Sequence, residues 1–131
     1  MGKKYFLHLL FLILSLHSYG QTEKMFSKTV NVFVVTDKYL NPIETATKVN
    51  VRADFYWDKT TNSGVVKVND LAHGKVYKYP VNQLYTGVAK GLKIYYFQTS
   101  DNKYKISVSK EENGFAMASY IDKSITVYGN E

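Results

Sequence analysis

From residue 47 onward the chain keeps a two-residue rhythm. Val49, Val51, Ala53, Phe55 and Trp57 alternate with Lys48, Asn50, Arg52, Asp54 and Tyr56. Successive side chains of a strand point to opposite faces, so residues 47–57 read as a strand with one buried side. The three-and-four spacing of an amphipathic helix is not sustained after residue 21. The same rhythm predicts strands over residues 29–36, 65–68, 75–81, 92–99, 104–109, 115–121 and 124–128, about eight in all. Residues 29–36 are apolar on both faces, Val30, Val32 and Val34 against Phe33 and Val35, the pattern of a central strand.

The links are turn formers. His73-Gly74, Ser100-Asp101-Asn102-Lys103, Glu111-Glu112-Asn113-Gly114 and Asp122-Lys123 each separate two alternating runs, and Asn41-Pro42 and Asn62-Ser63-Gly64 mark two earlier loops. Residues 82–91, with Gly87 and Gly91, are less regular and read as a long loop or a short strand at 85–89. Consecutive hairpins predict an all-β fold, an antiparallel meander of about eight strands that closes as a small barrel or folds over as a sandwich. Closure removes exposed strand edges, which favours the barrel.

Taking the more apolar parity of each strand as its inner face separates the aromatic residues. Leu92, Ile94 and Tyr96 go inward, leaving Tyr95 and Phe97 outward; Phe115, Met117 and Ile121 go inward, leaving Tyr120 outward. Ile125 and Val127 go inward with Tyr128 outward, Trp57 inward with Tyr56 outward, and Tyr77 and Tyr79 inward because Lys78 lies opposite. The second face thus collects Tyr56, Tyr95, Phe97, Tyr120 and Tyr128, which together would form an aromatic ligand-binding patch. Two plainer explanations compete: cross-strand aromatic pairs that only stabilise the sheet, and cover by residues 21–28 or by another strand layer. A further arrangement is an inner cavity lined by Trp57, Tyr77, Tyr79 and Tyr96, although small barrels are usually filled by side chains.

The N-terminal segment has a different character. Lys3 and Lys4 precede an apolar run at residues 5–16, followed by Ser18-Tyr19-Gly20-Gln21. This is the layout of a secretory signal peptide, with Ser18 and Gly20 three and one residues before a cut at Gln21. The run is shorter than the about 20 apolar residues of a spanning helix, and His8 interrupts it. The expectation is a cleavable signal at 1–20 and a single β domain at 21–131, exported to the periplasm or outside the cell, with no membrane span after signal removal. An uncleaved anchor is the alternative.

Composition then narrows the chemistry. The 131 residues carry a formal charge of +6, which falls to +4 without Lys3 and Lys4. Arg52 is the only arginine, whereas base readers favour arginine for its bidentate contacts, so no nucleic-acid partner is expected. There is no cysteine, and beyond the signal the one imidazole is His73, in a turn context before Gly74. No nucleophile–base pair, metal-ligand spacing or phosphate loop is present, so no metal or cofactor is expected. Asp54 and Asp58 are the closest paired carboxylates, as a glycosidase would need. The plainer account makes Asp58 a turn initiator and Asp54 a solvated partner of Arg52. The oxygen-rich turns at residues 58–64 and 100–102 lack the acids of a calcium loop.

These features point to an exported, non-catalytic binding module that uses strand-borne aromatic residues on a protein, glycan or small apolar ligand. One alternative is an envelope structural or inhibitory protein that docks by edge-strand pairing. The other is a carboxylate hydrolase using Asp54 and Asp58. An export signal before a tyrosine-rich meander resembles, in architecture alone, lipocalin-like carriers, streptavidin-like barrels and envelope inhibitors, but none of their diagnostic motifs is present.

Overall fold

The computed structural model describes residues 22–131; the signal segment expected at 1–20 lies outside the described residues. Eight strands follow in chain order: β1 (Thr22–Thr36), β2 (Thr47–Asp58), β3 (Ser63–Asp70), β4 (Lys75–Ala89), β5 (Leu92–Thr99), β6 (Tyr104–Ser109), β7 (Phe115–Ser119) and β8 (Ile125–Gly129). Each pairs antiparallel with the next, and β8 pairs with β1, so the sheet closes as a barrel. The all-β class and the antiparallel order are those the alternation predicts, and closure decides between barrel and sandwich.

Two strands are longer than the rhythm implies. β1 begins at Thr22, so residues 22–28 are half a wall strand and not a cover, and β4 runs on through the irregular residues after 82. The cause is bulging. Register slips between Lys24 and Phe26, between Val30 and Val32, and between Val81 and Gln83. A bulge sets two residues opposite one and reverses the inner parity beyond it. Lys28 and Val30 therefore face inward beside Ala53 and Val51, and Phe33 and Val35 face inward beside Tyr128 and Thr126. That switch makes residues 29–36 look apolar on both faces.

An up-and-down barrel gathers alternate loops at each end. The β1–β2, β3–β4, β5–β6 and β7–β8 links lie at one end, here the mouth; the other links and both ends of the described chain lie at the base. The core fills the half toward the base. Phe55 sits at its centre, with ring centroids 6.1 Å from Phe26, 5.5 Å from Phe97 and 5.9 Å from Phe115. Trp57, Val66, Val81, Ile106 and Val108 belong to the same buried cluster. At the base, buried Lys28 donates its Nζ to the Lys110 carbonyl at 3.1 Å, tying the β6–β7 link across the interior. Burial holds this ammonium below the ordinary lysine pKa, with Glu111 acting in the opposite sense. The β4–β5 turn is Lys90-Gly91, both at positive φ (51° and 77°), the geometry of a two-residue primed turn.

The face assignments hold for β2 and for Tyr77 and Tyr79 but reverse on β5 and β8. Phe97 is fully buried opposite Ile106, and Tyr95 faces inward opposite Val108. Tyr128 also faces inward, opposite Phe115, while Ile94, Tyr96, Ile125 and Val127 form the outer wall. The physical reason is that this wall is itself apolar. Ile94, Ala116, Ala118, Ile125, Val127 and Val34 lie side by side on it, half-buried, so apolarity does not distinguish its two faces. Ile121 lies beyond β7 in an exposed turn and not in the core. Closure leaves partial edges, among them β1 before Val32 and both halves of β4, which pairs with β3 alone before Val81 and with β5 alone beyond it.

Candidate functional site

Toward the mouth the interior opens. Tyr77 faces inward yet is 46% exposed, whereas the inward residues of the core are buried. β6, β7 and β8 span 6, 5 and 5 residues against 15 for β1 and β4, so the wall is shortest on this side. A cavity of about 240 Å³ lies here, lined by Tyr79, Tyr104, Met117, Ser119, Thr126 and Tyr128 of the wall and by Asp122 and Ser124 of the β7–β8 turn. Register explains the set. Tyr79 pairs with buried Val66, Tyr104 lies two residues before buried Ile106, and Met117 and Thr126 pair with each other.

Packing fixes the rings. Tyr79 and Tyr104 meet edge to face at 5.7 Å and 80°. Tyr128 stacks on Phe115 at 4.4 Å and 8°, with Phe33 at 5.6 Å. The hydroxyl of Tyr120 is donated to Gln98 at 2.7 Å, but those of Tyr77, Tyr79, Tyr104 and Tyr128 bond to no other described residue. No described side-chain polar atom is sealed away without a partner, so these hydroxyls face open space.

Burial pushes the Tyr79 phenol up, and the neighbouring Tyr128, Tyr104, Tyr77 and Asp101 add to this; burial and Tyr77 do the same for Tyr128. Both are neutral donors at ordinary pH. Because their folded pKa values lie above the unfolded one, folding is favoured fully below about pH 10, and this contribution is lost as pH rises through the folded values. Stability from urea titrations is therefore expected to fall above about pH 10, and Tyr79→Phe is expected to flatten that fall.

Each of the four mouth links is braced by an aspartate. Asp37 accepts from the Tyr39 and Asn41 amides, Asp70 from the His73 amide and, at 2.8 Å, its Nδ1, Asp101 from the Thr99 hydroxyl and the Lys103 amide, and Asp122 from the Ser124 amide and hydroxyl. These bonds hold all four carboxyls below the usual carboxylate range. His73 is the exposed turn histidine that its context implies. Around this braced rim stand Tyr39, Leu40, Ile43, Leu71, Val76, Tyr77, Tyr120 and Ile121, eight of the ten large apolar residues that are exposed among the described residues. Single exposed apolar residues are ordinary; their concentration at one end is not. A second hollow of about 300 Å³, between the β1–β2 and β7–β8 links, shares Asp122 and Ser124 with the mouth cavity.

The five aromatic residues chosen from the sequence do not form one patch. Tyr56 lies on the outer wall with Lys24 and Lys67 ammonium groups 5.6 and 5.2 Å from its ring. Tyr95 packs inward on Phe26 at 5.0 Å, and Phe97 is core. Tyr120 is on the rim, and Tyr128 lines the cavity. Of the inner-cavity set, Tyr79 lines the cavity and Tyr77 stands at the mouth, Trp57 is in the core, and Tyr96 is outside, stacked on Tyr85 at 5.1 Å. Tyr104, Ser119, Asp122, Ser124 and Thr126 were not anticipated; the Tyr104, Ile106, Val108 alternation was the available signal for the first.

Asp54 and Asp58 serve separate structural ends. Asp54 is buried and not a solvated partner of Arg52. It accepts from Ser27 at 2.7 Å, Arg52 Nε at 3.2 Å and Asn69 at 3.2 Å, with Lys24 Nζ at 3.6 Å. Burial raises its pKa, but these bonds and charges outweigh that and hold it below the usual range. Asp58 accepts the Thr60 amide at 2.8 Å, the turn role read from its position. No family model matches the chain, and no curated protein or solved structure shows significant similarity to it.

Proposed function

We propose that the protein is an exported, non-catalytic binding module that takes a small ligand into the mouth of its barrel. The observation that carries this reading is the convergence of three ring-packed tyrosines, with unbonded hydroxyls, on a cavity of about 240 Å³. Such a space suits a small molecule better than a protein surface or a glycan chain, and rings already held, Tyr128 by Phe33 and Phe115 and Tyr79 and Tyr104 by each other, lose little freedom on binding. Lys3, Lys4 and the apolar run after them support export.

The test is native mass spectrometry of protein purified from its producing cell. A small molecule is expected to be released on denaturation of the wild type and of Tyr56→Ala, with occupancy about ten-fold lower in Tyr104→Ala, the scale of a lost aromatic contact. Undiminished occupancy in Tyr104→Ala rejects the mouth site. A second reading rests on the outer wall, where Tyr85 and Tyr96 stack and the Lys105 ammonium lies 5.3 Å from the Tyr96 ring; a shallow groove of about 180 Å³ is lined by Ile94, Ser107, Ala116 and Val127 of that wall together with inward Val108, Phe115 and Tyr128 and the β6–β7 link. Loss of retention in Tyr85→Ala/Tyr96→Ala, with Tyr104→Ala unaffected, would favour that wall.

A further inference from the structure

We infer that the ligand of the mouth is a small organic cation, an ammonium group caged by tyrosine rings with Asp122 as its counter-charge. This rests on the mouth being the ligand site and adds the chemical class. The cavity lining contains no lysine, arginine or histidine, and its one ionisable carboxylate is Asp122. The Asp122 side chain is oriented but not neutralised. Its Oδ1 accepts both the Ser124 amide at 2.9 Å and the Ser124 hydroxyl at 2.7 Å, while its Oδ2 has no partner among the described residues, and no described ion pair includes it. The nearby lysines Lys38 and Lys123 line the outer hollow and not this cavity.

The remaining lining matches the same ligand. Tyrosine ring faces carry the negative side of the aromatic quadrupole and attract an ammonium ion, most strongly where water is reduced. Tyr79, Tyr104 and Tyr128 line the cavity beside the polarisable Met117 thioether, one face of Tyr128 being covered by Phe115. An anion would meet the Asp122 carboxylate with no cation in the cavity lining to offset it.

Choline and its neutral carbon isostere 3,3-dimethylbutan-1-ol separate charge from shape. Each is titrated into the purified protein while backbone amide shifts are followed. Choline is expected to bind about ten-fold more tightly than the isostere, with shifts centred on Tyr79, Tyr104, Ser119 and Thr126. Asp122→Asn keeps the oxygen that Ser124 bonds and removes the charge, so it is expected to erase most of the preference while the protein stays folded. Equal or tighter binding of the isostere at the mouth overturns the cation assignment and leaves the mouth site standing. An undiminished preference in Asp122→Asn overturns the counter-charge. If neither probe moves the mouth resonances the cation assignment falls; the mouth site falls with it only where Tyr104→Ala also keeps its retained molecule.

Discussion

Phe97→Ala is expected to destabilise the protein by about 3–5 kcal/mol, a large share of the roughly 5–15 kcal/mol that holds a domain folded. Phe97 has no exposed surface and lies 5.5 Å from Phe55 and 6.4 Å from Trp57, ring centre to ring centre. Its strand is bonded on both sides, to β4 and to β6, so the wall cannot collapse into the space left behind. The adjacent outer-wall residue Tyr96 touches Tyr85 instead, and Tyr96→Ala is expected to cost only about 1 kcal/mol. Urea midpoints for the two variants decide the facing of β5. Equal midpoints, or a larger loss from Tyr96→Ala, would show that Phe97 does not point inward.

Asp54→Ala is expected to cost about 2–3 kcal/mol, through a different mechanism. Removing the carboxylate takes the acceptor from the Ser27 hydroxyl and one of two close acceptors from the Asn69 amide, which keeps the Arg52 carbonyl at 2.9 Å. Arg52 and Lys24 remain about half exposed and recover water, which keeps the loss below that of a fully buried pair. The pH dependence carries the same signature. The folded pKa of Asp54 lies below its unfolded value of 3.8, so its contribution is present above that value and lost as pH falls through the folded one. The mouth aspartates share this acid limb. The diagnostic result is therefore the difference between wild type and Asp54→Ala, large near neutral pH and narrowing in acid. A constant gap would mean that Asp54 is not held as an ion in the fold.

Much of the fold was legible because strands and turns are written locally. Residues 92–99 and 104–109 are read from alternation with the same bounds as β5 and β6, and β2 shows its buried side directly. The bulges in β1 and β4 were not legible. A bulge is an extra residue relative to a neighbouring strand, and one strand's letters do not show what stands beside it. Facing failed on β5 and β8 for another reason: Ile94, Ile125 and Val127 make the outside as apolar as the inside. Asp54 shows the same limit from the polar side. Arg52 is visible two residues away, but Ser27 and Asn69 are delivered by β1 and β3. The mouth was least legible, because Tyr79 and Asp122 belong together only once the sheet has closed.

That closure has a consequence for how the chain comes to be folded. Val32 finds Gly129 and Thr36 finds Ile125, so the seam joins the first described strand to the last. Loop-closure entropy opposes so distant a meeting, and nothing shorter can seal the wall. A nascent polypeptide emerging from its amino end must therefore stay unsealed until β8 has been delivered. Until then residues 32–36 of β1 keep a row of backbone donors and acceptors without their partner strand.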